Sequence, residues 1–215
     1  MRISYIIGWL FLLTTSFNAF AGEPDPLWLK AIADYKESKA YVAKEIDYVV
    51  VNTKDEQTRT TVLKMQLSGW EKGQAQYAVV SEVPNTNNAS KFIKAFKTEE
   101  IFGPLEKEFF SPTSSFKRRD GQQLDGKPSV LFEISDMVGK MLVWVDPTTG
   151  RIQKRTIEMS VAFSFEGSNT DLYQVDQNGK NLVVQSETKA NIKIPFKKSK
   201  IEIKADFSQW VPNKA

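Results

Sequence analysis

The sequence predicts an α+β protein, a strongly twisted antiparallel sheet covered by short helices, and three observations carry that prediction. From Thr156 to Phe165 the residue character alternates strictly. Ile157, Met159, Val161, Phe163 and Phe165 fall on one face, and Thr156, Glu158, Ser160, Ala162 and Ser164 on the other, the period of a half-buried strand. Turn signatures such as Asp146-Pro147-Thr148-Thr149-Gly150 and Asp176-Gln177-Asn178-Gly179-Lys180 join strand-like runs directly, without the helical crossover that a parallel pair needs. Helical periodicity is confined to a stretch after Asp25 and to an insertion around 88–110.

The elements follow in order. Asp25-Pro26 is a helix start, because the aspartate can cap free N–H groups and proline costs no hydrogen bond at the first helical position. Trp28, Leu29, Ile32 and Tyr35 form its apolar stripe, and the helix is expected to end near Ser38. The β-branched run from Ile46 begins a strand. Thr60 to Leu67 and Gln74 to Val83 give two more, with Gly69 to Gly73 as the turn between them. At Pro84 the pattern changes. Asn88 or Ser90 can cap a helix carrying Phe92, Ile93 and Phe96, and Gly103-Pro104 is expected to break it and start a second helix bearing Leu105, Phe109 and Phe110.

A meander of three strands is expected over Val130 to Phe165, with a hairpin at Asp146 to Gly150, where Pro147 presets φ and Gly150 accepts a positive one. Leu172 to Val175 and Leu182 to Gln185 flank an Asn-Gly turn. Two final alternating runs, Ile192 to Phe196 and Ile201 to Phe207, slip phase around Lys197-Lys198, the mark of a turn or bulge.

Residues 1–21 read as a secretory signal: Arg2, an apolar run from Tyr5 to Leu13 too short to span a bilayer, and Ala19-Phe20-Ala21 before Gly22. Removing those 21 residues from 215 would leave 194, enough for one domain, 22–215, with a sizeable core. A periplasmic location in a bacterial envelope is therefore expected. With 29 basic and 26 acidic side chains the net charge is only +3, or +2 without Arg2, too balanced to imply a nucleic-acid partner or strong membrane-surface binding. Basic residues cluster locally at Lys117-Arg118-Arg119 and at Lys197-Lys198-Ser199-Lys200.

The chain contains no His and no Cys, so the usual general base, thiol nucleophile, disulfides and transition-metal ligands are missing together. No P-loop, G-x-S-x-G or G-x-G-x-x-G occurs. Asp136 and Asp146 sit in turn signatures, where accepting local backbone hydrogen bonds accounts for them. No enzyme, cofactor or metal is expected. The informative class is the aromatics: Trp70, Tyr77, Phe92, Phe96, Phe102, Phe109, Phe110, Trp144, Phe163 and Phe165. They can be ordinary core. Alternatively the sheet curls without closing, the helices plug its mouth, and these rings line or cover an apolar cavity for an acyl chain.

The order of a signal, a short amphipathic helix, antiparallel strands, a helical insertion, then VWVDPTTGRIQKRTIE and a last strand ending ADFSQW resembles the periplasmic outer-membrane lipoprotein carrier, or LolA-like, superfamily. The resemblance covers nearly all of the chain after residue 21, and its most telling piece is the strand, Asp-x-x-Thr-Gly, strand hairpin. It implies an unclosed antiparallel barrel with helices as a lid, acting as a monomer to shield lipoprotein acyl chains or a related lipid. It further implies an arginine on an early strand that holds the lid; Arg59 is the nearest candidate, although it sits beside the turn residues Lys54 to Thr58. A second function remains open on the same fold: a protein-binding or envelope assembly and sensor module, in which a sheet edge or the Lys117 to Arg119 patch recruits an envelope partner.

Overall fold

The computed structural model describes residues 24–54, 56–85, 93, 98–194 and 197–214. The expected signal, Phe92 and Phe96 lie outside them. In chain order the elements are α1 (Pro26–Ser38), β1 (Tyr41–Lys54), β2 (Gln57–Glu71), β3 (Gln74–Val83), α2 (Thr98–Phe109), β4 (Lys117–Leu124), β5 (Lys127–Ser135), β6 (Gly139–Val145), β7 (Ile152–Val161), β8 (Phe165–Val175), β9 (Asn181–Ile194) and β10 (Lys197–Pro212). One sheet holds all ten strands in the order β3-β2-β1-β10-β9-β8-β7-β6-β5-β4, every neighbouring pair antiparallel. The first and last strands pair along almost their whole length, from Tyr41 opposite Pro212 to Lys54 opposite Ser199. β3 and β4 remain as edges, so the barrel is unclosed.

Local chemistry explains the turns. Asp25 caps α1, its Oδ1 accepting from the amides of Leu27 (2.8 Å) and Trp28 (3.1 Å), with Pro26 at the first position. The same device recurs in three hairpins. Asp136 accepts from Val138 and Gly139, Asp146 from Thr148 and Thr149, and Asp176 from Asn178 and Lys180, all at 2.7–2.9 Å. Gly150 closes the second of these at φ +78°, against the side chain of Lys30 in α1.

α1 and α2 share one face of the sheet. Trp28, Ala31 and Ile32 of α1 and Phe102, Leu105 and Phe109 of α2 join Phe132, Met141, Val143, Val145, Ile152 and Ile157 of β5–β7 in the main core. Trp28 stacks on Phe110 at 5.4 Å and is wholly buried, a burial that contributes ~1.5–3 kcal/mol by area. Asp34 fixes α1 to the sheet: its Oδ2 accepts from the amide of Ile152 (2.9 Å) and from Asn181 Nδ2 (2.7 Å).

Two expectations about these elements are corrected. The alternating run 156–165 is not one strand, because the chain turns after Val161, with Phe163 at φ +63°, and Phe165 opens β8. Gly103-Pro104 does not break a helix, since α2 continues through both. The hydrogen bond that Pro104 cannot donate is outweighed by burying Phe102, Leu105 and Phe109 along one stripe.

Candidate functional site

The sheet curls far enough to enclose space. Side chains of β3 (Tyr77) and β7 (Arg155) line one cavity of about 340 Å³, although those strands stand six places apart in the sheet order. In a flat sheet they would be separated by roughly 28 Å. Tyr77 Oη donates to the carbonyl of Ala43 at 2.7 Å. The cavity volume falls within the ~300–1,000 Å³ typical of small-molecule sites.

Two kinds of surface line it. The walls are apolar and aromatic: Ala43, Ile46 and Tyr48 of β1, Tyr77 of β3, Ile203, Ala205, Phe207 and Trp210 of β10, and Phe102 of α2. Burial, with Tyr77 nearby, pushes the Tyr48 phenol up to about 12, so it stays neutral and offers only a hydrogen bond. One end is a charged cluster centred on Arg155, which is 3% exposed. Its guanidinium pairs with Glu106 of α2 through Nη1 and with Asp171 of β8 through Nη2, and Nη2 also reaches Asn169 Oδ1 at 3.3 Å. Asn169 Nδ2 in turn donates to Ser186 Oγ (3.0 Å) and Thr188 Oγ1 (3.1 Å).

Glu106 also accepts from the Tyr35 hydroxyl, and Lys39 Nζ lies 3.5 Å from it. Burial acts to raise the Glu106 carboxyl, but Arg155, Lys39 and the Tyr35 hydrogen bond outweigh it and hold the group below its ordinary range. For Arg155, burial opposes the charge and Asp171 and Glu106 more than restore it, so the guanidinium stays protonated. Burial likewise raises the phenols of Tyr35 and Tyr173 far above ordinary values. The cluster therefore ties α2 to the sheet by a buried, charge-assisted contact, while Phe102 of the same helix lines the apolar wall.

A second, more open cleft of about 620 Å³ follows along the same strands. Glu158 to Ser160, Glu166 to Ser168 and Lys189 to Asn191 line it, with the β5–β6 turn and Lys200. The register puts Lys140, Glu158, Ser168 and Lys189 out of phase with the buried Met141, Ile157 and Ala190, so this cleft lies on the face turned away from the helices, opposite the inner cavity.

The aromatic candidates divide accordingly. Tyr77 and Phe102 line the cavity. Phe109 and Phe110 are instead packed in the main core, Phe110 stacked on Tyr35 at 4.1 Å and on Trp28. Trp144 alternates with the buried Val143 and Val145, so it faces away from the helices, under the Lys154 ammonium at 5.1 Å. Trp70, half-buried near the end of β2 beside Lys214, is not part of the cavity wall. Phe165 packs on Val50, Ala190, Ile201 and Ile203, and Phe163 points into water. Arg59 is exposed beside the β1–β2 turn; the arginine that holds a helix is Arg155. Its signal was a cation in phase with Ile157 and Met159 on the apolar face of β7.

No family model and no curated protein matches the sequence. Among solved structures the chain is similar to a domain from Vibrio parahaemolyticus described as an outer membrane lipoprotein-sorting protein, at 12% identity and TM-score 0.41, over 87% of this chain and 94% of that one. A DUF1329 family protein from Desulfovibrio piger aligns at 11% identity and TM-score 0.39, over 88% and 94%. A chain of the Pseudomonas aeruginosa MucA/MucB complex aligns at 9% identity and TM-score 0.25, over 87% and 98%. Among the described residues the ten strands form one unclosed antiparallel sheet, covered on one face by α1 and α2. Among the described residues no helix is long and apolar enough to cross a membrane.

Proposed function

We propose that this chain is an exported periplasmic carrier that shelters lipoprotein acyl chains, or a related lipid, between α2 and the inner face of the curled sheet. The observation that carries this reading is the 340 Å³ cavity itself, walled by apolar and aromatic side chains and roofed by a helix whose Glu106 pairs with Arg155 and Lys39. An acyl chain needs a water-free, largely shape-tolerant wall, which Ile46, Ile203, Ala205 and Phe207 supply; the charged end suits the polar end of an amphiphile. Opening of α2 would widen the cavity and expose Phe102 to the cargo.

The alternative, a protein-binding envelope module, draws on β3, where Val80 and Val83 are exposed on a strand that among the described residues is paired on one side only. The Lys117 to Arg119 patch contributes less to it than its composition suggests, since Arg118 pairs with Asp25 and Asp120 and Arg119 with Glu133. The deciding experiment is native mass spectrometry of the purified exported protein, with titration of a dansylated fatty acid into wild type and into Ala205→Phe, which fills the cavity. Bound lipid, and uptake abolished by the filled cavity in a folded variant, support the carrier. Uptake unaffected by Ala205→Phe, or a stoichiometric protein partner with no lipid, sinks it.

A further inference from the structure

The β5–β6 and β7–β8 turns share one rim of the sheet with the start of β10, as the pairings of Gly139 with Met159, Phe165 with Ile192 and Ser199 with Ile192 require. Two neighbouring tips on that rim present large apolar side chains to water. Met137 of the β5–β6 turn is 100% exposed and Phe163 of the β7–β8 turn 93%, with Val138 at 45% and Val161 at 46% beside them. Single exposed apolar residues are ordinary. Here, however, the two tips are joined, the amide of Ser160 donating to the carbonyl of Val138 at 3.1 Å. Phe163 also takes φ +63°, a region unfavourable for an aromatic residue, so the turn holds the ring outward against local preference.

Lysines stand behind the tips. Lys193 and Lys200 pair with Glu166 and Glu202, whereas Lys140 and Lys198 have no ion-pair partner among the described residues. Of the nearby acids, Asp136 is committed to the amides of its own turn. Protruding apolar tips backed by ammonium groups on long stems match a bilayer interface, where rings enter the acyl boundary and lysines remain among anionic headgroups. Two small adjoining tips give a protein partner little area to bury, whereas a fluid lipid surface accommodates both.

The geometry points to a bilayer carrying anionic headgroups as the partner of this rim, docked through Met137 and Phe163 with Lys140 and Lys198. Met137 and Val138 also border the 620 Å³ cleft on the outer face of β7–β10. This goes beyond the carrier reading and stands on different residues.

The test is flotation of the purified protein with vesicles of phosphatidylcholine, with and without phosphatidylglycerol. Wild type is expected to float with the anionic vesicles and to be released by salt. The double variant Met137→Ser, Phe163→Gly should lower that partitioning about tenfold or more by removing both buried tips. It touches only exposed side chains, and glycine suits the φ at 163. The pair Lys140→Glu, Lys198→Glu should lower it about fivefold or more for each lysine. Wild type that floats with neither vesicle, or a tip variant that floats as well as wild type, overturns the proposal. Capture of a soluble protein by a rim that ignores vesicles overturns it too. Uptake of a dansylated fatty acid in vesicle-free buffer is measured on the same samples. Flotation without uptake removes the carrier reading and leaves the docking rim; uptake without flotation does the reverse.

Discussion

Arg155→Met should be among the most damaging single changes in this protein, and the cost follows from what it leaves behind. Arg155 is 3% exposed and neutralises two buried carboxylates, Glu106 and Asp171, which are 6% exposed. Removing one partner of a buried ion pair costs ~3–5 kcal/mol, because the remaining charge is neither solvated nor paired. In a domain of this size that corresponds to a fall in Tm of roughly 6–20 °C. Glu106→Gln differs, since Arg155 keeps Asp171 and the amide can still accept from Tyr35; a loss of about 1–2 kcal/mol is expected. The triple variant Arg155→Met, Glu106→Gln, Asp171→Asn should recover at least half of the Arg155→Met loss, as no unpaired charge remains. Urea unfolding followed by tryptophan fluorescence measures all three, and hydrogen exchange locates the effect. Glu106→Gln should lower protection in 98–109 while leaving 141–157 unchanged. An Arg155→Met cost below about 1 kcal/mol, or equal exchange changes in α2 and the strands, would refute the idea that this cluster latches the helix.

Acid should have a similar effect without mutation. Tyr35 of α1, Lys39 just past its end, Arg155 of β7 and Asp171 and Tyr173 of β8 face Glu106, and its folded carboxyl titrates below the ordinary value of about 4.3. Its contribution is therefore complete above that pH and lost as pH falls through the folded value, so α2 protection should drop below about pH 4 in wild type and much less in Glu106→Gln. An α2 whose protection does not respond to acid would contradict this. Trp28→Ala should cost ~3–5 kcal/mol, since a wholly buried ring leaves a cavity, whereas Trp144→Ala on the outer face should cost about 1 kcal/mol and leave acyl uptake unchanged. Chemical denaturation together with fatty-acid titration separates the two, and a Trp144 variant that loses uptake would place that ring at the cavity after all. Gly150→Ala should lower stability by ~1–2 kcal/mol, because the position has φ +78° and an added Cβ would lie 2.5 Å from Lys30 Cβ; a neutral melting curve would show that α1 can shift away.

The sequence by itself determined those features whose causes are local. Asp25-Pro26 starts α1, Asp146 to Gly150 and Asp176 to Lys180 turn the chain, and a period of two separates Met141, Val143 and Val145 from Leu142 and Trp144. Turns joined without crossovers were enough to indicate an antiparallel sheet, and the family resemblance supplied its openness. Only the tertiary structure decided which aromatic rings meet. Tyr77 and Phe102 reach one cavity because β3 curls round toward β7, and Phe109 and Phe110 enter the core because α2 passes unbroken through Pro104. The Arg155 cluster was hidden for the same reason. Glu106, Arg155 and Asp171 come from a helix and two strands, and nothing in their local spacing shows that three charges will share one buried site. Phe163 failed in the opposite direction: it keeps the apolar phase of β7, yet the chain turns before it, and a side chain at a turn with positive φ points where the backbone sends it. Local hydrogen bonding and periodicity act over a few residues and can be read along the chain; long-range packing and the pairing of buried charge depend on which surfaces the curled sheet brings together.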